Sequence, residues 1–258
     1  MDYRNRKKNT DDKYHLYGKH PVLEALKNKN RVIHKLMCTK NSFDFLTERL
    51  GSGALDKISK EILRPEQIDK IMHPGATKNQ QIVTHQGAVI KTETLNQPTI
   101  EDLFEKDLIV ACNKITDPHN IGAIIRNSVA FGANAIVTDE RNSPPENATI
   151  AKTSAGCIES IPYIRGKGLA SSIEQFKQNG FLIIGLDGSG EYEISEVVSK
   201  LKNEKIVLVI GSEGKGMAEN IIELCDYVAK INISQEAESL NASVASSIAL
   251  YSLYNRKK

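Results

Sequence analysis

Hydrophobic positions in the second half of the chain gather into short aliphatic runs separated by amphipathic stretches. The runs at 108–112, 135–138, 161–164, 181–186, 206–210 and 228–231 are rich in Val and Ile and too short to be helices, so each reads as a strand. The run 206–210 (IVLVI) has no polar residue, as expected of a strand buried on both faces of a parallel sheet. Helical patterns fill the gaps, and Gly180 stops the one over 173–179. This alternation predicts an α/β fold with a mostly parallel sheet and a ligand site at the C-terminal strand ends. In the last helix, 241–254, Val244, Ile248 and Tyr251 form a stripe, with Leu253 one position off it and the small Ala245 and Ala249 beside it.

The first half has a shorter rhythm. A helix around Glu24-Ala25-Leu26, a strand at 32–37, a helix at 43–50 and a strand at 88–90 predict a separate small α/β module. Residues 91–107 are polar, contain Pro98 and read as a linker. The expected division is therefore a disordered basic tail at 1–13, a module at 14–90, the linker, and a larger domain at 108–258.

With 258 residues, 40% hydrophobic and 26% charged, the chain can bury a large core without disulfide staples. No apolar run approaches the roughly 20 residues of a membrane span. The N-terminus lacks the apolar segment of a secretion signal, so a cytoplasmic location is expected. Cys38, Cys112, Cys157 and Cys225 form no CxxC pair and have no clustered histidine partner; they read as reduced core residues, and no metal site is expected. Net charge is only +2, yet residues 1–40 hold eleven Lys or Arg against four acidic residues. Such a bias fits a phosphate-seeking surface, and equally a solvated tail.

Candidate chemistry concentrates in three segments: Asn113 to Val137 (NKITDPHNIGAIIRNSVAFGANAIV), Ile206 to Met217 (IVLVIGSEGKGM) and Ile231 to Tyr251 (INISQEAESLNASVASSIALY). Gly211, Gly214 and Gly216 allow a sharp turn and leave amides uncovered for a ligand. The turn has neither the G-x-G-x-x-G order nor the Gly-Lys-Ser/Thr ending, which disfavours a dinucleotide or nucleotide-phosphate enzyme.

In this order and spacing, the three segments resemble the signature motifs of the SpoU (TrmH-type) RNA 2′-O-methyltransferases of the SPOUT class. The likeness covers about 108–254. Near the start, Tyr17-Gly18-Lys19-His20-Pro21-Val22-Leu23-Glu24-Ala25-Leu26 is similar to the opening of members that methylate a guanosine of 23S ribosomal RNA (RlmB-type), where it leads an RNA-binding module resembling a ribosomal protein. The resemblance implies a C-terminal trefoil knot, S-adenosylmethionine as methyl donor, RNA as partner and a homodimer. A transfer RNA substrate is the alternative target, and a catalytically silent RNA-binding protein is the rival class.

Transferred residue by residue, the resemblance assigns donor binding to Leu186, Gly188, Gly211, Ile231 and Leu240, largely through the main chain. It assigns the chemistry to Asn120, Arg126, Glu213, Ser239 and Asn241. Asn120, read locally, is a helix cap, and so are Ser239 and Asn241. Arg126 is a surface charge by the plainer reading. By resemblance it takes the 2′-hydroxyl proton, or binds the target phosphate; a guanidinium stays protonated far above neutral pH, which favours the phosphate role. Glu213 is expected to order the glycine turn rather than act as a base, and His119 has no matched role. Two departures fall in the segment expected to wrap the donor: Asn232 stands where many relatives have proline, and Gln235 where they usually have glycine.

Overall fold

Strand and helix alternate through both halves of the chain in the computed structural model, which describes residues 13–74, 83–214 and 216–256. The first half runs β1 (Lys13–Tyr17), α1 (Lys19–Lys27), β2 (Ile33–Cys38), α2 (Lys40–Leu50), β3 (Lys60–Ile62), α3 (Pro65–Met72) and β4 (Ala88–Glu93). The second runs β5 (Leu108–Cys112), α4 (Pro118–Ala130), β6 (Ala135–Asp139), α5 (Ala148–Thr153), β7 (Tyr163–Gly166), α6 (Leu169–Gln178) and β8 (Phe181–Leu186). It continues through β9 (Tyr192–Glu193), α7 (Ile194–Lys200), β10 (Lys205–Ile210), α8 (Glu219–Ile222), β11 (Tyr227–Lys230) and α9 (Ala242–Asn255). Most of the expected basic tail lies outside the described residues, and Lys13 already belongs to β1.

Two compact units result: the first holds the described residues up to Asn96 together with Glu146–Glu159, and the second holds Gln97–Pro145 and the residues from Ser160 onward. The first unit is a sheet of order β1-β4-β2-β3, antiparallel except for the β2–β3 pair. Its β4 continues to Glu93, so the first three residues of the expected linker are strand.

Glu146–Glu159, read from sequence as part of the second domain, packs with the first unit for an electrostatic reason. Arg31 is buried there, its guanidinium donating to Glu146 Oε1 at 2.5 Å, to Glu159 Oε1 and Oε2 at 2.6 and 3.1 Å, and to the Glu93 carbonyl at 2.7 Å. Tyr14 adds a hydroxyl donor to Glu146 at 2.7 Å. Burial works against the Arg31 charge, but Glu146 and Glu159 more than reverse it and hold the guanidinium above its ordinary pKa. Burial also pushes Glu159 up, against the pull of Arg31 and Asn28. A cation this deeply buried needs such partners.

The second unit is a parallel sheet of order β7-β6-β5-β10-β8-β11-β9. Central β5 and β10 carry almost no exposed atoms because helices cover both faces. One face packs Phe176, Phe181, Leu103 and Ile173 against Ile109, Val137 and Val207. α4 lies beside α9, with Asn127 Nδ2 donating to the Ser243 carbonyl at 3.2 Å. α9 buries Ala242, Ser246, Ala249, Leu250 and Leu253 but leaves Val244, Ile248 and Tyr251 at 47, 37 and 56% exposure. Cys38 and Cys112 are buried and Cys157 and Cys225 half-buried, all as free thiols. Burial pushes the Cys38 and Cys225 thiols up to about 11. Among the described residues no helix is long and apolar enough to cross a membrane, and no group of three or more His, Cys, Asp and Glu could hold a metal ion.

Candidate functional site

Parallel strands bring their C-terminal ends to one edge, and the loops after β8, β10 and β11 meet there. After β10 the chain doubles back so tightly that a Cβ on Gly211 would sit 2.6 Å from the Gly216 carbonyl carbon and 2.7 Å from the Met217 nitrogen. Ser212 and Gly216 exchange backbone hydrogen bonds of 3.1 and 3.0 Å, closing the turn. Gly214 and Gly216 have φ of +72° and +61°, a region where a side chain is strained.

Asp187, directly after β8, fixes this turn from outside. It accepts the Met217 amide at 2.9 Å, the Ser189 amide at 3.0 Å and the Ser189 hydroxyl at 2.7 Å. Burial pushes its carboxyl up, but these amides outweigh burial and hold it below the usual carboxylate range. Sequence inspection passed over Asp187; its signal was the Asp-Gly-Ser-Gly turn that follows a buried strand.

Between the three loops lies a cleft of about 470 Å³. Leu186, Gly188, Gly211, Ile231 and Leu240, the positions matched to the donor site, all line it, as do Asp187 and Ser239. The departures differ in placement: Gln235 lines the cleft, whereas Asn232 turns aside and donates to Glu193 at 3.0 Å.

A second pocket of about 210 Å³ shares Ser212, Glu213 and Ala242 with the cleft and adds Lys114, Ile115, Thr116, Asp117 and Asn120. Glu213 Oε1 is its hub. It accepts from Asn120 Nδ2 at 2.8 Å, from Asn241 Nδ2 in a very short contact, and from the Ala242 amide at 3.4 Å. Asn241 Nδ2 also reaches Asn120 Oδ1 at 3.0 Å. Three residues far apart in sequence thus form one hydrogen-bonded cluster.

Two local expectations need correction. Asn120 is not the cap of α4: Asp117 is, accepting the His119 amide at 2.8 Å, and Pro118 opens the helix with its preset φ. This frees the Asn120 side chain for Glu213. Nor is Ser239 the cap of α9, because Asn241 takes that position and accepts the Ser243 and Val244 amides at 2.9 and 3.4 Å. Asn241 therefore caps through Oδ1 and serves the cluster through Nδ2.

Arg126 stands apart from both pockets. It lies six residues beyond Asn120 on α4, hence about 9 Å along the axis and about 120° around it, and it is exposed.

Residues 107–251 match the profile of the SpoU rRNA Methylase family, and residues 15–98 match that of an RNA 2′-O ribose methyltransferase substrate-binding domain. YacO of Bacillus subtilis strain 168, named as a TrmH family tRNA/rRNA methyltransferase, is 32% identical over 252 residues, covering 94% of this chain and 96% of its own. An uncharacterised tRNA/rRNA methyltransferase of Mycolicibacterium vanbaalenii is 30% identical, over 98% of this chain and 80% of its own. In fold, the chain is similar to the SpoU methyltransferase AviRb of Streptomyces viridochromogenes, solved with AdoMet, with a TM-score of 0.76, 19% identity, and coverage of 99% of this chain and 95% of that one. A Sinorhizobium meliloti rRNA methyltransferase solved with AdoMet gives 0.73 at 20% identity, over 95 and 87% of the two chains. With a family profile spanning more than half of its length and a 32% identical relative aligned along nearly all of it, this chain belongs to the SpoU rRNA methylase family.

Proposed function

We propose that the protein transfers a methyl group from S-adenosylmethionine to a ribose 2′-hydroxyl of structured RNA in the cytoplasm, with a guanosine of 23S ribosomal RNA as the favoured target. The observation that carries this is the junction of two pockets through Ser212, Glu213 and Ala242: a larger cleft built from backbone beside a smaller polar one. The cleft suits the donor in size, being within the roughly 300–1,000 Å³ of small-molecule sites. Its chemistry also fits, with apolar Leu186, Ile231 and Leu240 against a glycine turn whose Gly211 wall a Cβ would fill. When bound there, the donor supplies an electrophilic methyl group.

Asn120, Glu213 and Asn241 shape the receiving pocket. Glu213 accepts three donors, which supports a role in ordering the loop over one in removing a proton. Ser239, on the cleft wall, and Asn241 orient the ribose. Arg126 contacts the target phosphate; its distance from the pocket within one chain supports a homodimer in which it serves the partner's site. The exposed Val244, Ile248 and Tyr251 face of α9 supports the same pairing. The reading includes a C-terminal trefoil knot, supported by the loop between β11 and α9, whose Ile231 and Leu240 line the cleft. Relatives named for both tRNA and rRNA keep transfer RNA as the second target.

The test is incubation with labelled donor and total RNA, followed by mapping of the label, alongside calorimetry with S-adenosylmethionine, its demethylated product and NAD. Donor binding, a labelled ribose and a loss of about 10²-fold in single-turnover rate for Arg126→Ala are expected. Tight NAD binding without response to either sulfur nucleotide would overturn the proposal.

A further inference from the structure

We propose that Lys114 is a phosphate-contacting residue of the smaller pocket, a role that rests on the RNA methylation reading. Its backbone is the first observation. Lys114 has φ of +57°, a conformation uncommon outside glycine and asparagine, and one held only where the surroundings dictate it. Both neighbours are pinned. The Asn113 amide donates to the Ile210 carbonyl at 2.8 Å and its Oδ1 accepts the Ala218 amide at 2.9 Å, while Ile115 is buried. The path demands a left-handed residue, and a lysine occupies the place that glycine would fill without strain.

Charge is the second observation. Lys114 lines the pocket with Asp117 and Glu213, and both carboxylates are engaged by donors: Asp117 by the His119 amide, Glu213 by Asn120, Asn241 and the Ala242 amide. The Lys114 side chain is exposed, and among the described residues its ammonium has neither an ion pair nor a hydrogen bond. Arg126 does not line the pocket, and among the described residues the cation that does is Lys114. Chemistry of the substrate supplies the complement. A ribose 2′-hydroxyl sits one carbon from the 3′-phosphate, so a pocket that receives the hydroxyl brings an anion to its rim. A lysine serves there as a point charge.

The test uses full-length protein and a fluorescent ribosomal RNA fragment that wild-type protein methylates, with binding followed by anisotropy from about 50 to 200 mM salt. Lys114→Gly suits the left-handed backbone, so it removes the charge without endangering the fold. It is expected to weaken RNA binding several-fold and to flatten the slope of log affinity against log salt by about 0.7–0.9, one phosphate's share of counterion release. Lys114→Arg should restore both, and donor affinity by calorimetry should be unchanged in each variant. A wild-type slope in Lys114→Gly, or weaker binding with no change of slope, would overturn the assignment alone. Wild-type protein that methylates no RNA would overturn the parent reading and this one together.

Discussion

Replacing Arg31 by methionine should destabilise the first unit strongly, and in a way that depends on pH. The substitution keeps much of the side-chain volume but leaves Glu146 and Glu159, whose side chains are only 6 and 3% exposed, without their shared cation. Removing one partner of a buried ion pair costs about 3–5 kcal/mol. At about 2–4 °C per kcal/mol for a chain of this size melting as a whole, the transition should fall by about 6–20 °C. The sign with pH follows from Glu159, whose pKa is already raised by burial. The folded state holds that proton more tightly than the unfolded one, so stability is greatest below the ordinary carboxylate value and declines as pH rises toward the folded value. Without Arg31 the folded value climbs further and the window widens. Arg31→Met should therefore recover part of its loss when the pH is lowered from about 8 to 5, because the folded state favours the protonated Glu159 carboxyl. Adding Glu146→Gln and Glu159→Gln should recover more, because neutral partners do not require a cation. Circular dichroism melts of the three proteins at both pH values decide the matter. A loss below about 1 kcal/mol, or one equal at both pH values, would refute the assignment of this network as a buried, mutually compensating cluster.

Four further outcomes are expected. Gly211→Ala, whose new Cβ would press on the Gly216–Met217 backbone at 2.6 Å, should lower donor affinity at least about tenfold by calorimetry. Gly214→Ala, where nothing lies within 4 Å, should show only the left-handed strain of about 1–2 kcal/mol in thermal melts. Glu213→Gln exchanges an acceptor for a group that also donates, and it should cut single-turnover methylation by about 10-fold or more while donor binding stays within a few-fold. Under the proposed pairing, wild-type protein is expected to sediment as a dimer, and Tyr251→Asp, which puts a charge on the apolar α9 face beside Phe131, as a monomer at the same concentration.

The unbroken aliphatic runs made β5, β8 and β10 legible to within a residue, because a strand buried on both faces leaves no polar position to blur its pattern. Short β3 and β9, and α3, α7 and α8, left too little periodicity to register. Motifs identified Asn120, Glu213 and Asn241 but not their meeting at one carboxylate oxygen, since that depends on the arrangement of α4, α9 and the β10 turn. Local propensity misassigned the cap of α4 for a related reason, and at α9 it offered Ser239 beside the true cap Asn241. Asp117 and Asn120 are both good cap residues, and only the position of Pro118 selects between them. Arg31 looked like one more member of a basic N-terminal segment. Nothing within 1–40 signals that its counter-charges lie more than a hundred positions downstream.

That separation sets an order of events during synthesis. The strands of the first unit emerge early, yet Glu146 and Glu159, which neutralise Arg31, follow only after Asn96 and the β5 and β6 strands of the second unit. At roughly 5–20 residues per second, the ribosome takes about 3–13 s to add the intervening stretch. Throughout that interval the nascent first unit lacks the two carboxylates that compensate the Arg31 charge. Its final closure is therefore a late step, waiting on residues that lie in sequence between the two parts of the second unit.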